Sequence, residues 1–266
     1  MKVLQRLFID EGKGYLKMIK FEKTEVFGWE AAIRGMRNPM NSWDKSDSMF
    51  YANGNPDEGC DHRCESCRDF PNKDCSYVGP NDYDLMTRLR NAGTDHRKFM
   101  RMITVYVDIT APLYWWKEFD TYKVGTVANS CSTMHKIAEK EFTIDDFSNE
   151  HLVDVKGYPH GDPIISLDGP SVHGIEPYGI LNCYIIPMLN RCRDLYNATK
   201  YKMYWWQMIQ LLPASYNQKR TVMMNYEVLA NIYKSRKDHK LDEWREGFCD
   251  WIRQLPYSEL ITGEIK

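Results

Sequence analysis

The chain has 266 residues, of which 43% are hydrophobic and 13% aromatic, and a formal net charge of −2 at pH 7. This composition supplies a sizeable core and excludes the global basic field that attracts nucleic acid, so we expect no stable nucleic-acid partner. No stretch approaches the roughly 20 apolar residues of a membrane span, and the N-terminus does not resemble a signal peptide. We therefore predict a cytoplasmic protein with no membrane partner.

In the N-terminal half the first secondary-structure patterns are weak, and a clear strand pattern follows at its end. A short strand is predicted over 15–21 and a helix start over 29–36. Residues 38–80 are rich in Asn, Asp, Ser, Gly and Pro, which is typical of a long irregular excursion. Apolar residues at helical spacing follow over 82–91. Residues 101–110 alternate between apolar and polar side chains, which predicts a strand.

The C-terminal half is predicted to be loops and then helices. Residues 140–178 are polar and contain four prolines, which indicates loops. From Ile180 the chain reads as helical, with a kink or break expected at Pro187. A long helical pattern then covers 220–244, and a second stripe beyond it is assigned to the core. The two stripes are Asn225, Leu229, Ile232 and Arg236, and Trp244, Phe248, Trp251 and Leu255.

Together these elements predict an α+β (α/β) fold in a single domain over residues 1–266. A central, mostly antiparallel sheet that includes 101–110 would be flanked by the C-terminal helices. A Cys-rich insertion over 44–80 would form an appendage at the edge of this domain.

The insertion contains a cluster of thiols around His62 that predicts a metal site. Eight cysteines without an export signal argue against a disulfide framework, and thiolates at short spacing bind zinc. The candidate spacing is irregular, so free thiols in a surface loop are an alternative. The Cys-x3-Cys-x2-Cys run also resembles the iron-sulfur triplet of radical S-adenosylmethionine enzymes, but no barrel pattern follows it. The candidate zinc ligands are Cys60, Cys64, Cys67 and Cys75.

A second set of motifs runs in order from about Leu85 to Pro256. Its members are an Ala-Pro pair at 111–112, Asn129, Ser132, a Leu-Pro pair at 212–213, Asn225, Asn231, Arg236 and His239. This order resembles the flavin-dependent thymidylate synthases (ThyX). In that family a Leu-Pro pair precedes an Asn and then an Arg on one helix, and Pro213, Asn225 and Arg236 have that spacing.

The chain departs from the family pattern at its arginines. The family's Arg-His-Arg triplet corresponds to Thr-Tyr-Lys at 121–123. Met134 takes the place of a substrate-facing arginine, and Ile209 or Gln210 takes that of another. Because bidentate guanidinium contacts fix nucleotide phosphates, the acceptor stays open between dUMP and a related pyrimidine nucleotide.

The resemblance implies a divergent methyltransferase that binds FAD, uses NADPH as reductant and transfers a one-carbon unit from methylenetetrahydrofolate to the nucleotide. It implies a homotetramer with active sites between subunits, and it gives Cys131 no nucleophilic role. Arg236 would be catalytic by polarising a pyrimidine carbonyl. The nucleotide would contact Glu118, Ser132 and Arg236, and the flavin would contact His96, Lys123, Asn129, Asn225, Asn231 and His239.

Simpler roles compete with this interpretation. Asn129 and Ser132 could cap a helix, and Arg236, His239 and Glu243 could form a solvated helical face. The whole chain could be a non-catalytic, metal-stapled binding protein on the same scaffold.

Overall fold

The computed structural model describes residues 19–51, 75–152 and 177–264. A four-stranded sheet lies at its centre, and a two-stranded ribbon stands apart from it. The strands are β1 (Lys20–Phe27), β2 (Met49–Tyr51), β3 (Cys75–Tyr77), β4 (Thr104–Pro112), β5 (Val127–Ser130) and β6 (Asn217–Asn225). The sheet has the order β1-β4-β6-β5 with every neighbouring pair antiparallel, and β2 pairs with β3 in the ribbon. The predicted α+β fold with a mostly antiparallel sheet is confirmed.

The described residues also form ten α-helices. They are α1 (Trp29–Arg37), α2 (Pro80–Asn91), α3 (Leu113–Phe119), α4 (Thr133–Lys136), α5 (Pro177–Ile180), α6 (Ile186–Thr199), α7 (Lys202–Leu211), α8 (Tyr226–Arg236), α9 (Cys249–Arg253) and α10 (Glu259–Thr262). Two π-helical segments, Leu181–Ile185 and Glu243–Phe248, precede α6 and α9. No helix in the described ranges is long and apolar enough to cross a membrane.

The alternation along β4 decides which face is covered. Ile103, Val105, Val107 and Ile109 are at most 1% exposed, whereas Tyr106 is 41% exposed. Complete burial of each of these aliphatic side chains contributes roughly 1.5–3 kcal/mol. The clearest strand pattern in the sequence is therefore the inner, apolar face of the sheet.

Aromatic side chains fill the space between the sheet and the C-terminal helices. Trp115 and Trp116 of α3 are both buried, and the Trp115 ring centroid lies 4.5 Å from that of Trp244. The second predicted stripe is confirmed as core, since Trp244, Phe248, Trp251 and Leu255 are all buried. A separate cluster of buried residues lies under α6 and α7, and includes Phe142, Phe147, Leu189 and Met208.

The helix predicted over 220–244 is wrong at both ends. Its first part is strand β6, where Gln218, Val222 and Met224 are buried in strand alternation between β4 and β5. Helix α8 starts only after Asn225 and ends at Arg236. Tertiary pairing on both edges outweighed a helical pattern made largely of long, unbranched side chains.

Two further boundaries differ from the predictions. The chain stays helical through Pro187, because a π-helical turn lies just before it and Pro187 falls in the first turn of α6, where a missing N–H is tolerated. The strand predicted over 15–21 begins at Lys20, and residues 15–18 lie outside the described residues.

A buried carboxylate anchors the base of the predicted insertion. Asp82 of α2 accepts hydrogen bonds from Arg37 Nε and from the hydroxyls of Ser46 and Ser48, each at 2.6 Å. Burial raises the pKa of Asp82, but these donors outweigh it and hold the pKa below its usual range. Both ends of the β2–β3 ribbon are thus held, since Gly79 N donates to Ser48 at 3.0 Å.

Only one of the four predicted zinc ligands lies in the described residues. Cys60, Cys64 and Cys67 lie outside the described residues, and Cys75 begins β3. Within the described ranges, no group of three or more His, Cys, Asp or Glu side chains is arranged to hold a metal ion.

Candidate functional site

Arg236 and Glu118 meet where α8 and α3 end. Arg236 Nη1 donates to Glu118 Oε2 at 2.8 Å, and Arg236 Nε donates to the Tyr122 hydroxyl at 2.8 Å. The guanidinium carbon lies 4.8 Å from the centroid of the buried Trp244 ring. The guanidinium is therefore held by a carboxylate, a phenol and an indole together, which fixes its orientation.

Two more side chains, both beyond the end of α8, contact the same carboxylate. Trp244 Nε1 donates to Glu118 Oε2 at 3.1 Å, and His239 Nε2 lies 3.4 Å from this oxygen. His239 is placed by its own turn, since its Nδ1 accepts from the backbone N–H of Leu241 at 3.2 Å. Three of the predicted site residues, Glu118, Arg236 and His239, are thus brought together.

The cluster leaves one oxygen of Glu118 and one nitrogen of Arg236 without a hydrogen bond to the described residues. Every contact of the Glu118 carboxylate with the described residues is made through Oε2, and the side chain is 36% exposed. Among the same residues, Arg236 uses Nε and Nη1 but makes no hydrogen bond through Nη2. Oε1 of Glu118 and Nη2 of Arg236 can therefore serve a ligand that offers both a donor and an acceptor.

The predicted helical face of Arg236, His239 and Glu243 does not form. Helix α8 ends at Arg236, and Glu243 begins the next helical segment as a buried residue. Its carboxylate accepts a hydrogen bond from the Tyr114 hydroxyl, which also lies 3.0 Å from Ser148 Oγ. Glu243 is therefore held against α3 by Tyr114, which also contacts Ser148, and does not face solvent.

Asn225 lies at the start of α8, beside a tight turn. Its Oδ1 caps the helix by accepting from Val228 N at 2.9 Å. Gly125 has φ +76°, and a Cβ at this position would lie 3.2 Å from Asn225 Nδ2. The buried hydroxyl of Thr126 has no hydrogen-bond partner within the described part of the chain, and the exposed Lys123 opens the same turn.

His96 and Asn231 lie at a third place, around Arg97. Arg97 Nη2 donates to Glu227 Oε1 at 3.0 Å and lies 3.4 Å from Asn231 Oδ1. Its Nε is 2.8 Å from Glu227 Oε2, an ion pair that lacks linear hydrogen-bond geometry. His96 precedes this arginine in a turn closed by its backbone N–H on Gly93 O.

Asn129 and Ser132 occupy different environments. Asn129 pairs with Thr221 on the sheet face that the helices leave open, whereas Ser132 caps α4 by accepting from His135 N at 3.1 Å. The helix-cap interpretation thus holds for Ser132 and not for Asn129. Ser132 also lines a cleft of about 460 Å³ with Lys136, Lys140 and Lys219.

Acidic side chains already pair with the lysines of this cleft. Lys136 contacts Glu139 and Lys140 contacts Asp146. Lys219 lies 3.2 Å from both Asp108 and Glu22, and its hydrogen bonds to them raise the pKa of its ammonium group. The hydrogen bonds from Thr221 and Lys219 lower the pKa of Asp108.

Sequence reasoning missed several members of these clusters. Tyr122 was treated only as a replaced histidine, Trp244 only as core, and Arg97 not at all. Arg220 was missed because the predicted helix began at residue 220, whereas Arg220 lies in strand β6 and pairs with Ser130.

The fold is similar to two crystal structures of Thymidylate Synthase X (ThyX) from Helicobacter pylori, both containing FAD and dUMP. One is 14% identical, with a TM-score of 0.56 over 92% of this chain and 97% of that chain. The other is 16% identical, with a TM-score of 0.55 over 92% of this chain and 100% of that chain. No family model and no curated protein matches the sequence. At these identities the similarity shows the fold alone.

Proposed function

We propose that this protein is a divergent flavin-dependent thymidylate synthase-like enzyme, which methylates dUMP or a related pyrimidine nucleotide reductively. The observation that carries the proposal is the convergence of Arg236 and His239 on the Glu118 carboxylate, on a fold similar to ThyX. These residues come from distant parts of the chain and leave a donor and an acceptor unused.

In this proposal Arg236 binds the pyrimidine ring and Glu118 positions Arg236. The ring carbonyl would accept a hydrogen bond from the guanidinium, which stabilises negative charge that develops on the ring during attack. Glu118 Oε1 would accept from a ring or exocyclic N–H group. Tyr122 and Trp244 keep the guanidinium plane in place, which lowers the entropy lost on binding. Ser132 would contact the nucleotide from the cleft on β5 and α4.

The turn at Lys123–Thr126 and the start of α8 fit FAD by the chemistry of their donors. The unpartnered Thr126 hydroxyl, the Asn225 amide and the exposed Lys123 ammonium group suit a ligand with phosphates and hydroxyls. His96, Asn129, Asn231 and His239 complete the proposed FAD contacts. When bound, FAD would supply the redox chemistry, with NADPH as reductant and methylenetetrahydrofolate as one-carbon donor.

A homotetramer with active sites between subunits belongs to the same proposal. Large apolar side chains are exposed on the helices from α5 to α7: Ile180, Tyr184, Met188, Met203, Trp206 and Leu211. An apolar surface of this kind is typical of a subunit interface. Such an interface would bring site residues of neighbouring copies together, including those that lie apart in one chain. We also propose a cytoplasmic location.

The deciding experiment is the visible absorption spectrum of freshly purified protein, followed by addition of FAD. Twin flavin bands, NADPH oxidation and release of a methylated nucleotide are the expected results. A colourless protein that binds no added FAD would contradict the proposal. Flavin binding with NADPH oxidation but no product from dUMP would direct the assay to other pyrimidine nucleotides.

The zinc site remains a sequence-based proposal, supported by the way its surroundings are held. Asp82 and Tyr257 anchor the ribbon on either side of the Cys-rich segment. If the protein contains stoichiometric zinc and no flavin, the alternative of a metal-stapled binding protein on this scaffold becomes the better interpretation.

A further inference from the structure

Arg220 is an unassigned arginine at the junction of β6, β5 and α3. Its Nη1 donates to Asp120 Oδ1 at 2.7 Å, and its Nε donates to Gln218 Oε1 at 3.0 Å. The guanidinium carbon lies 4.2 Å from the centroid of the buried Trp116 ring. A flat indole face and an amide therefore set the plane of the guanidinium.

Arg220 has more N–H donors than the described residues accept from. A guanidinium has five N–H donors, and the described residues accept from Nε and Nη1 but not from Nη2. Its side chain is only 15% exposed, whereas its partner Asp120 is 47% exposed. A carboxylate that is this exposed compensates a desolvated guanidinium poorly, because water weakens the attraction between the two charges. The Arg220 guanidinium is therefore suited to bind a second anion in addition to the Asp120 carboxylate.

Arg220 lies between two of the three segments at which arginines of the ThyX pattern are missing, the run at 121–123 and the stretch that leads to Met134. Asp120 directly precedes the Thr-Tyr-Lys run at 121–123. On the other side, Arg220 pairs across the sheet with Ser130, two residues before Ser132. Gln218 joins the two sides, because its Oε1 accepts from Arg220 and its Nε2 donates to Cys131 O at 2.9 Å.

We propose that Arg220 binds the phosphate of the pyrimidine nucleotide and replaces, from strand β6, the substrate-facing arginine that is absent at 134. The inference rests on the proposed function. A planar guanidinium binds a phosphate through two parallel N–H···O bonds, which a lysine cannot reproduce. Asp120 acts as a competing carboxylate that holds the guanidinium in the absence of ligand and weakens the phosphate contact.

The test compares dUMP with deoxyuridine, which lacks the phosphate, by calorimetric titration of the FAD-loaded full-length protein. We expect the unchanged protein to bind dUMP about 10- to 100-fold more tightly than deoxyuridine. Arg220→Gln should remove this difference and leave deoxyuridine affinity unchanged, and Arg220→Lys should retain part of it. Asp120→Asn should increase dUMP affinity severalfold, the opposite of what a merely structural ion pair predicts.

Arg193→Gln is the matched control, since Arg193 is 16% exposed and pairs with Asp194 at 2.7 Å. It should leave the dUMP to deoxyuridine ratio unchanged. If Arg220→Gln fails to fold, Arg220→Lys and Asp120→Asn decide the question. A ratio that survives Arg220→Gln, or dUMP affinity that falls with Asp120→Asn, would overturn the inference while the proposed function stands. If neither ligand binds the unchanged protein, or if both bind equally, the phosphate role of Arg220 is wrong. A protein that cannot be loaded with FAD contradicts the proposed function instead.

Discussion

Arg236 and Glu118 are 118 positions apart in the chain, yet the guanidinium donates to the carboxylate at 2.8 Å. Arg236 supplies the proposed positive charge at the pyrimidine ring, and Glu118 holds it in place. The packing of α3 against the π-helical segment Glu243–Phe248 produces this contact, because the Trp115 and Trp244 rings lie against each other in a tilted arrangement. The site is therefore assembled by the aromatic core itself.

Arg236→Ala should reduce turnover far more than stability. Loss of a charge-stabilising donor typically lowers kcat about 10²- to 10³-fold, whereas loss of this partly exposed ion pair and ring contact costs about 1–2 kcal/mol. Steady-state kinetics and thermal unfolding measure the two effects. Arg253→Ala is the control, since Arg253 also pairs with a carboxylate, of Asp250, and lies over an aromatic ring, of Tyr233. Equal losses of activity in both variants would refute the catalytic role.

Asn225→Asp should separate helix capping from flavin binding. Aspartate caps as well as asparagine and suits a helix N-terminus, so the free energy of unfolding should change by less than about 1 kcal/mol. It replaces the amide N–H with a negative charge, so FAD affinity should fall at least about tenfold. Fluorescence titration with FAD measures this, and Asn225→Ala shows the cost of losing the cap. Unchanged FAD affinity in Asn225→Asp would leave Asn225 a capping residue only.

Asp82→Asn should destabilise the fold strongly. Removal of one partner from a buried ion pair costs about 3–5 kcal/mol, because Arg37 then stays buried without a counter-charge. Urea denaturation near neutral pH should show this loss. Asp84→Asn is the control on the same helix, since its pair with Arg88 is exposed and should contribute less than about 0.5 kcal/mol. Similar midpoints for the two variants would contradict the anchoring role.

The same carboxylate predicts a pH dependence. Its folded-state pKa lies below that of the unfolded chain, about 3.9, so its stabilising contribution is fully present above that value. As pH falls through the folded-state pKa, the contribution is lost. The difference in unfolding free energy between the unchanged protein and Asp82→Asn should therefore shrink below about pH 4. A difference that stays constant down to pH 2 would show that Asp82 stabilises the fold without its charge.

The thiols of the insertion should bind about one zinc ion per chain, as measured by elemental analysis of the dialysed protein. Cys64→Ser and Cys67→Ser should each release the metal, whereas Cys183→Ser, an exposed cysteine on another part of the chain, should retain it. Metal-free protein with unchanged stability would favour free thiols in a surface loop.

Local sequence patterns were enough to predict the elements in which pattern and burial agree. The alternation around β4 and the stripe from Trp244 to Leu255 were predicted as core and are buried. In both, one periodicity holds over several residues and one face is apolar, so local pattern and tertiary burial favour the same structure. The α+β class followed from these two elements.

The assembly of the candidate site depends on long-range packing. Residues 220–225 were predicted as helix but belong to the strand between β4 and β5, because hydrogen bonding on both edges of a strand depends on partners that are distant in sequence. That strand places Arg220 beside Ser130 and Asp120. In the same way, Tyr122 and Trp244 join Arg236 only because three helix ends meet over one aromatic core. The sequence gives the side chains that are available. Long-range packing decides which of them contact the same carboxylate or would bind the same anion.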